Sequence, residues 1–388
     1  MAPAYRASAG RVLLLVGTAM LVLTQLYAAI PLAAPVAGDL GGNATFALST
    51  VYGVCYAAGF LVWGPLADRH GNKRVMLVGL IALVLMTLAC AFATTVPLLA
   101  ALRGLQGFAA ASFPPTALAY LAVATSPRMR ATAIGAVSTS FLVSGILGQL
   151  YASSIAQSLG WNWVFGISGV ILVILTVAIA AAIKEPRAPR GTGSVLTQFL
   201  AALRLVQRPT VLLLCAAHIT LLLSFVAMYT ALGAHLGTLG LDSSQTMLLR
   251  LVALPGMFTT LLVGPLSRRW SVAWIARSGV IIGAAGLVLE AVLSATVVGT
   301  AAASLVFVAG ISLAVSSMIS LFGEASAPHR AGGMALNGFV LFLGASIGPL
   351  TSAFGLSFPV LLIVLAALLV AAALALTGYI GLQARAAK

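Results

Sequence analysis

Apolar residues run along almost the whole chain in long stretches, and short polar segments separate one stretch from the next. Each stretch is about twenty residues long, the length that an α-helix needs to cross the hydrocarbon core of a bilayer. A soluble core is therefore excluded, and the pattern predicts an all-α integral membrane protein with twelve transmembrane helices. The predicted spans, numbered one to twelve, are Val12 to Ala34, Ala44 to Trp63, Val75 to Thr95, Pro97 to Val123, Ala131 to Ile155, Asn162 to Ile183, Pro209 to Ala234, Ser244 to Leu266, Val272 to Leu293, Val297 to Phe322, Gly333 to Gly355 and Phe358 to Leu382.

Lysine and arginine lie in alternate loops between these spans. If the N-terminus with Arg6 and Arg11 is cytoplasmic, all the basic loops lie on that side, and the six opposite loops carry neither residue. Cytoplasmic loops of membrane proteins are enriched in lysine and arginine, so the pattern predicts an even number of spans and two cytoplasmic termini. We expect a multi-pass protein of a plasma membrane of the bacterial inner-membrane type. The other basic residues of that side are Arg69, Lys73, Arg74, Arg128, Arg130, Lys184, Arg187, Arg190, Arg204, Arg208, Arg268, Arg269, Arg277, Arg330, Arg385 and Lys388.

Composition agrees with this topology and narrows the function. Of the 388 residues, 61% are hydrophobic and only 7% are charged, and the net charge is +14. A basic excess in a soluble protein would suggest a nucleic-acid partner, but here the charges follow the loops, so no such partner is predicted. Cys55, Cys90 and Cys215 lie in different spans. This placement favours a packing role and predicts neither disulfides nor a metal site.

The longest polar interval divides the spans six and six. It predicts three regions, with Pro and Gly marking the start of the middle one. The regions are an N-terminal six-helix bundle of residues 1–183, a cytoplasmic central loop of residues 184–208 and a C-terminal six-helix bundle of residues 209–388.

The two halves also resemble each other at an offset of 200 residues. GPLADRH at residue 64 matches GPLSRRW at residue 264, and SGILGQ at residue 144 matches GASIGP at residue 344. Arg130-Ala131 likewise matches Arg330-Ala331. A repeat that covers six spans keeps the same orientation in both copies, so the bundles are predicted to be pseudo-symmetric about an axis along the membrane normal.

Charge is concentrated in the turn between spans two and three, GPLADRHGNKR at residues 64–74. This turn resembles the signature of the major facilitator superfamily, G-x-L-a-D-r-x-G-r-k. The resemblance extends over the whole chain through the number of spans, the central loop and the repeat, and it implies the major facilitator fold. The matching residues are Gly64, Leu66, Ala67, Asp68, Arg69, Gly71 and Lys73, with Asn72 in place of the first basic residue and Arg74 just beyond.

Asp68 is the informative residue of this turn, because the distribution of basic residues does not require an acid there. Span eleven begins on the cytoplasmic side, where Arg330 accompanies its first amide groups and the positive end of its dipole. The resemblance implies that Asp68 docks at this end when the two bundles close the cytoplasmic mouth. The alternative is that the residues of the turn only anchor the loop at the membrane face.

Span four carries LAALRGLQGFAAA, which resembles a second signature found in proton-linked members of the superfamily. An arginine within a span costs about 2.5 to 3.5 kcal/mol on insertion scales, so it should face a partner or a water-filled cavity. Arg103, with Gln106 and Gly107, is therefore a candidate for proton coupling or for orienting substrate. The alternative is a side chain that reaches outward to the membrane surface. The matching residues are Leu99, Arg103, Gln106, Gly107, Ala110 and Ala111.

Span five carries SGILGQ where exporters of this superfamily have a G-P-x-x-G-G element. Gly145 stands at the position of the proline, Gly148 is kept, and Gln149 replaces the last glycine. Together with Gly348 in the second half, these small residues predict close helix packing. Export is favoured over import.

Glu290 and Arg250 are the remaining charged residues at membrane depth. Glu290, in span nine, is a candidate proton site, and the alternative is a side chain that reaches the outer interface. His218, in span seven, is a candidate for binding substrate or a proton, and the alternative is a hydrogen-bonded structural histidine. Further candidates lie on the spans that line the cavity in related transporters. The candidate cavity residues are Gln25, Tyr27, Phe113, Phe141, His218, Arg250, Asn337 and Phe342.

These features predict a secondary active transporter. The resemblance is to the twelve-span drug and sugar efflux branch, the drug:proton antiporters, and it implies export of a small organic compound in exchange for protons by alternating access. Because buried acids are scarce, a neutral or amphipathic compound is predicted rather than a strongly cationic one. The alternative is an importer or facilitator of a sugar or an organic anion on the same fold.

No enzyme is predicted, because the chain has no metal-binding histidine pair, phosphate loop or G-x-S-x-G element. An ATP-driven pump is disfavoured for the same reason. The expected partners are the lipid bilayer, a small-molecule substrate and protons. We infer neither a cofactor nor an obligate protein partner, and the proton gradient is the expected driving force.

Overall fold

The computed structural model describes residues 8–125, 127–185, 204–326 and 330–386. All regular elements in these residues are helical. The chain forms two compact units, Met1–Leu200 and Ala201–Lys388. Most of the predicted central loop, residues 186–203, lies outside the described residues. The predicted boundaries of the three regions therefore stay predictions.

The N-terminal unit contains the helices of spans one to six. A π-helical segment, Phe46–Thr50, leads directly into span two. The helices are Ala9–Tyr27 and Ala29–Leu40 in span one, Val51–His70 in span two, Asn72–Cys90 in span three, Val96–Ala110 and Phe113–Ala124 in span four, Pro127–Leu159 in span five and Trp161–Ala182 in span six.

The C-terminal unit contains the helices of spans seven to twelve. Two 3₁₀ segments interrupt the regular helices, Phe258–Leu262 within span eight and Gly348–Phe354 at the end of span eleven. The helices are Pro209–Thr238 in span seven, Ser243–Val252, Leu254–Met257 and Val263–Leu266 in span eight, Val272–Leu293 in span nine, Val297–Ala325 in span ten, Arg330–Ile347 in span eleven and Phe358–Ala386 in span twelve.

Eleven spans are long and apolar enough to cross a membrane, judged over the described residues. Span five forms a helix of 33 residues, but several of its side chains lie outside the described part of the structure, so it is not among the eleven. Span five is therefore assigned from its place in the order of helices.

Proline divides span four, which was predicted as one run from Pro97 to Val123. The helix stops at Ala110 and a new helix starts at Phe113. Pro114 and Pro115 follow at once, and they lack the amide hydrogens that a continuous α-helix needs. The physical cause of the break was thus visible in the sequence, but the apolar pattern alone did not reveal it.

Spans one and eight are also divided. In span one the first helix ends at Tyr27, and a second helix continues to Leu40, beyond the predicted end at Ala34. In span eight the first helix ends at Val252, just before Pro255, and the rest consists of short helical and 3₁₀ segments. Proline and short 3₁₀ segments are ordinary causes of such breaks.

The two units repeat the same order of helices. In each unit the first span packs against the fifth, that is, span one against span five and span seven against span eleven. In the first, third and fourth spans of each unit the helix starts differ by 200 residues to within one position, as the sequence repeat predicts, whereas the fifth spans start at Pro127 and Arg330 and the sixth at Trp161 and Phe358. The paired starts are Ala9 and Pro209, Asn72 and Val272, and Val96 and Val297.

Glycine brings spans nine and ten into backbone contact. A Cβ atom added at Gly310 would overlap the backbone nitrogen of Gly283 and would lie 2.6 Å from the carbonyl oxygen of Gly279. No side chain fits at that distance, and small residues are what allow membrane helices to approach so closely. Spans nine and ten are therefore held together by packing of their main chains.

We expect Gly310→Ala to lower the free energy of unfolding by about 1 to 3 kcal/mol, because the added methyl group overpacks this contact. Gly381→Ala is the matched control, since a Cβ at Gly381 has open space around it. There the better helix propensity of alanine should raise stability by up to about 1 kcal/mol. Thermal unfolding of both variants in detergent checks the pair, and equal effects would contradict the packing argument.

Candidate functional site

Arg103 lies in the first helix of span four and is completely buried, with 0% of its surface exposed. The helix begins where the Thr95 side chain accepts a hydrogen bond from the amide of Leu98. Arg103 follows about two turns later, inside the N-terminal unit. The predicted alternative, a side chain that reaches outward to the membrane surface, is therefore wrong.

Two main-chain carbonyl groups from other spans hold the guanidinium of Arg103. Its Nε and Nη2 atoms donate to the carbonyl oxygen of Leu48 at 2.9 and 2.7 Å, and Nη2 also donates to the carbonyl oxygen of Gln25 at 2.9 Å. Leu48 belongs to the π-helical segment Phe46–Thr50. Segments of this kind depart from the regular hydrogen-bond ladder and are frequent at functional sites. Here the segment offers a carbonyl oxygen to a cation on another helix.

Gln106 extends this network to span three. Its side-chain oxygen accepts from Nη1 of Arg103 at 2.6 Å, and its side-chain nitrogen donates to the hydroxyl of Thr87 at 2.8 Å. A longer bond of 3.4 Å joins that nitrogen to the side-chain oxygen of Gln25. The thiol of Cys90 donates to the oxygen of Gln106 at 3.7 Å. The structure thus brings Gln25, a predicted cavity residue, together with Arg103 and Gln106 of the second signature.

Aromatic rings complete the surroundings of the guanidinium. Its central carbon lies 4.0 Å from the ring centroid of Tyr52 and 5.6 Å from that of Phe165, within the range of cation–π attraction. Gly107 permits this arrangement, because a Cβ there would overlap the carbonyl oxygen of Tyr52. No carboxylate is among the described partners of Arg103. Its charge is therefore stabilised by carbonyl dipoles, an amide and aromatic faces. We use the name Arg103 cluster for Arg103 and the residues around it, which are Gln25, Leu48, Tyr52, Thr87, Cys90, Gln106, Gly107 and Phe165.

The turn between spans two and three is held by an acid that follows span six. Gly71 has a positive φ of 97°, which other residues rarely adopt, and span three starts directly after it. The carboxylate of Glu185 accepts from the amides of Asn72 and Lys73 at 3.0 and 2.8 Å. Lys73 also donates from Nζ to the carbonyl oxygen of Ala180 at 2.9 Å. Glu185 thus satisfies the free amides and the dipole at the start of span three.

Sequence reasoning missed Glu185 because 112 residues separate it from Lys73. One signal was available. Glu185 is an acid within Lys184 to Arg187, at the start of an interval that is otherwise basic and was predicted to be cytoplasmic. The enrichment of cytoplasmic loops in lysine and arginine does not require an acid there, so an acid at this position indicates a partner close by.

The other residues of the turn give less information. Arg69 and Arg74 are exposed, and a Cβ at Gly64 would meet open space. The side chains of Asp68 and Arg330 lie outside the described part of the structure. Docking of Asp68 at the start of span eleven therefore stays a prediction.

In the C-terminal unit, His218 of span seven meets Asn337 of span eleven. The side-chain nitrogen of Asn337 donates to Nε2 of His218 at 2.9 Å, and both residues are buried. The ring of Phe322 lies 5.2 Å from the ring of His218. Nδ1 of His218 has no hydrogen-bond partner among the described residues. The bond fits the structural alternative for this histidine, while the unpartnered nitrogen leaves binding open.

A second buried group of polar residues lies where spans seven, eight and nine approach one another. Glu290 is completely buried, so the alternative of a side chain at the outer interface is wrong. Neither of its carboxyl oxygens has a hydrogen-bond partner among the described residues. Arg250 is also buried, and Tyr229 interacts electrostatically with both groups. Sequence reasoning named Glu290 and Arg250 but missed Tyr229, which has no motif around it.

The remaining candidate cavity residues are aromatic. Tyr27, Phe113 and Phe342 are buried within their units, and Phe141 is half-buried. The three phenylalanine side chains have no hydrogen-bonding group and so cannot join the hydrogen-bond network of Arg103. The described residues also contain no group of three histidine, cysteine or acidic side chains that could hold a metal ion.

The three candidate packing glycines lie in equivalent spans. A Cβ at Gly148 of span five would come 3.1 Å from Cα of Thr24 in span one. A Cβ at Gly348 of span eleven would come 2.9 Å from Cβ of Val226 in span seven. Gly145 is buried one turn before Gly148. Close approach of the first and fifth spans is thus a feature of both units.

The family follows from comparison of the sequence with known proteins. A family model for the Major Facilitator Superfamily matches residues 15–349, which include the turn at residues 64–74 and the Arg103 cluster. The chain belongs to this superfamily. The match confirms the resemblance and the predicted fold of twelve helices in two six-helix bundles. It also makes the chain a multi-pass membrane protein of a transporter superfamily, as predicted.

Individual relatives match shorter parts of the chain. Multidrug resistance protein 3 of Bacillus subtilis is 33% identical over 134 residues, which are 34% of this chain and 26% of that protein. Efflux pump radE of Floropilus chiversii is 30% identical over 142 residues, which are 37% of this chain and 26% of that protein. The chain spans less than a third of the length of the curated relatives it matches first.

A solved structure matches nearly the whole fold. It is a bacterial homologue of the human lysosomal transporter Spinster, in an inward-facing and unoccupied conformation. The TM-score is 0.63, and the alignment covers 95% of this chain and 92% of that chain. At 18% sequence identity, this likeness bears on the fold alone.

We expect Arg103→Lys to lower the free energy of unfolding by about 1 to 3 kcal/mol, although it keeps the charge. A lysine ammonium cannot reach both carbonyl groups and the amide of Gln106 with the planar fork that arginine provides. Arg385→Lys is the matched control, since Arg385 is exposed. Thermal unfolding in detergent measures both, and an unchanged Arg103→Lys protein would mean that the network contributes little.

We expect Glu185→Ala to speed hydrogen exchange at the amides of Asn72 and Lys73, because it removes the oxygens that accept from them. Glu324→Ala is the control, since Glu324 is an exposed acid on span ten. Exchange measured by mass spectrometry on both variants gives the comparison. If the two amides remained as protected as in the wild type, Glu185 would not be the group that holds this turn.

Proposed function

We propose that the protein exports small neutral or amphipathic organic compounds in exchange for protons, by alternating access between its two units. The proposal places it in a bacterial-type inner membrane with both termini in the cytoplasm. The observation that carries it is the Arg103 cluster, a buried cation without a carboxylate, in a chain of the Major Facilitator Superfamily. Arg103, Gln106 and Gly107 of this cluster belong to the sequence that resembles the signature of proton-linked members.

The names of relatives support export. One relative is called a multidrug resistance protein and another an efflux pump. Each aligns with only about a third of this chain, so export by the present protein is part of our proposal.

The balance of buried charge supports the class of substrate. Among the described residues of the spans, Arg103 and Arg250 are buried cations, and Glu290 is the single buried acid. A strongly cationic substrate would need a matching carboxylate in a site shielded from water. A neutral or amphipathic compound needs no such match and fits this interior better.

The second candidate function is import or facilitated movement of a sugar or an organic anion on the same fold. Excess buried positive charge favours an anion as well as a neutral compound. The two candidates differ in the direction in which a proton gradient drives the compound. That difference allows one experiment to separate them.

Two steps test the proposal. First, thermal shift of the purified protein compares neutral, anionic and cationic compounds, including chloramphenicol and lactose. A ligand present at about a hundred times its Kd stabilises the folded state by about 2.7 kcal/mol, so binders are detectable. Neutral amphipathic compounds should give the largest shifts. Second, the strongest binder is radiolabelled and offered to inside-out membrane vesicles that contain the protein.

An exporter that exchanges compound for protons should accumulate the compound when the vesicle lumen is acidic, because the lumen corresponds to the outside of the cell. Dissipating the pH gradient with nigericin should abolish accumulation, and vesicles without the protein are the control. Release of preloaded compound under the same gradient would identify a proton-coupled importer. Equilibration that ignores the gradient would identify a facilitator.

We expect Asp68→Asn to reduce this uptake several-fold while leaving the amount of protein in the membrane unchanged. A charge at a helix terminus contributes about 0.3 to 2 kcal/mol, so losing the proposed latch should shift the balance between open and closed mouths without unfolding the chain. Asp242→Asn is the control, because Asp242 caps span eight and asparagine caps a helix equally well. Wild-type uptake by Asp68→Asn would leave the turn as an anchor only.

A further inference from the structure

Proton exchange requires a group that takes up and releases the proton, and acids are scarce in this chain. The sequence has six acidic residues. The structure describes the side chains of five of them, and four of these are exposed. Glu290 alone is buried, on the last turns of span nine. Any carboxylate chemistry inside the described spans therefore falls to this residue.

The surroundings of Glu290 suit a protonated acid. Neither oxygen accepts or donates a hydrogen bond among the described residues. An ionised carboxylate without a partner in such an interior is costly, whereas the neutral acid is not. The described arrangement thus corresponds to the state in which Glu290 holds its proton.

A partner for the ionised state lies on span eight. Arg250 is 6% exposed, and its Nε has no hydrogen-bond partner among the described residues. Its guanidinium runs beside span seven, where a Cβ at Gly233 would come 3.3 Å from Nη2. Two residues further along span seven, Nε2 of His235 donates to the carbonyl oxygen of Ser294, one turn after Glu290. The acid and the base thus border the same stretch of span seven without forming an ion pair.

Other charged and titratable groups lie on the spans around Glu290. His235 of span seven is bonded to the carbonyl oxygen of Ser294, and the exposed Asp242 caps the start of span eight. The rest lie near the middle or at the opposite ends of their helices. They are His218 in span seven, Arg277 in span nine, Glu324 in span ten, and Tyr379 and Arg385 in span twelve.

Span eight has a built-in break next to Arg250. The helix Ser243–Val252 ends two residues after the arginine, and Pro255 and a 3₁₀ segment follow. An interrupted helix can change direction at the break without disturbing the rest of the span. Spans nine and ten, by contrast, are in backbone contact through Gly283 and Gly310. A movement that brings Arg250 and Glu290 together is therefore easier for span eight, which carries the arginine, than for span nine.

We propose that Glu290 carries the exchanged proton and that Arg250 pairs with its carboxylate once the proton has left. In the release step the O–H bond of Glu290 breaks, the proton passes to water, and the electron pair stays on the carboxylate. The segment Ser243–Val252 then turns at Pro255 and brings the guanidinium to the new charge. This assignment rests on the proposed proton coupling and names the residues that perform it.

Infrared spectroscopy of the protein reconstituted in lipid tests the assignment without a substrate. A protonated carboxyl group gives a C=O stretching band that disappears when the group ionises. The wild type should show such a band at neutral pH and lose it as the pH rises. Glu290→Gln should lack the band, and Glu324→Gln, which changes an exposed acid, should keep it. A band that persists in Glu290→Gln, or no titrating band in the wild type, overturns the proposal.

Arg250→Gln tests the partner and leaves Glu290 in place, so the test does not depend on folding of the Glu290 variant. Without the guanidinium the carboxylate is less stable, and the band should persist to higher pH than in the wild type. An identical titration would remove Arg250 from the proposal.

A transport measurement with radiolabelled chloramphenicol in inside-out vesicles separates this inference from the proposed function. Glu290→Gln should lose accumulation driven by the pH gradient but keep exchange of labelled for unlabelled compound. Accumulation by Glu290→Gln equal to the wild type overturns the assignment. If the wild type itself fails to move chloramphenicol while its Glu290 band titrates, the failure belongs to the proposed function.

Discussion

A guanidinium cannot remain in the interior of a membrane protein unless the protein supplies acceptors for its donors, since neither water nor lipid does so there. Arg103 meets this constraint with carbonyl groups of the main chain. One carbonyl belongs to span one and the other to the π-helical segment before span two, while Gln106 extends the bonding to span three. The position of four helices in the N-terminal unit is thus tied to a single side chain.

The repeat copies the scaffold of the two units but not their charges. The helix starts of the first, third and fourth spans and the glycine contacts of the fifth spans recur, whereas the counterpart of Arg103 at the offset of 200 is Ala303. In the opposite direction, Glu290 corresponds to Cys90. The N-terminal unit therefore buries a cation held by dipoles, and the C-terminal unit buries an acid together with a base. The two bundles thus share an architecture but bury different charged groups.

Much of this fold could be predicted from the sequence, because the length of apolar runs and the side of basic residues are direct consequences of the bilayer. The Arg103 cluster was predictable in part. An arginine within an apolar span is easily recognised in the sequence. Leu48, by contrast, contributes only a carbonyl oxygen, which every residue possesses, so no sequence pattern indicates its role. The meeting of His218 with Asn337 was hidden for a different reason, since separation along the chain does not reveal which faces of two helices meet.

The bond from Glu185 to the start of span three has a mechanical consequence. Glu185 is followed directly by the segment that leads along the chain to the second unit. The carboxylate of Glu185 therefore joins the end of span six to the two amide groups that shape the signature turn. A displacement at the end of span six would reach that turn through one carboxylate.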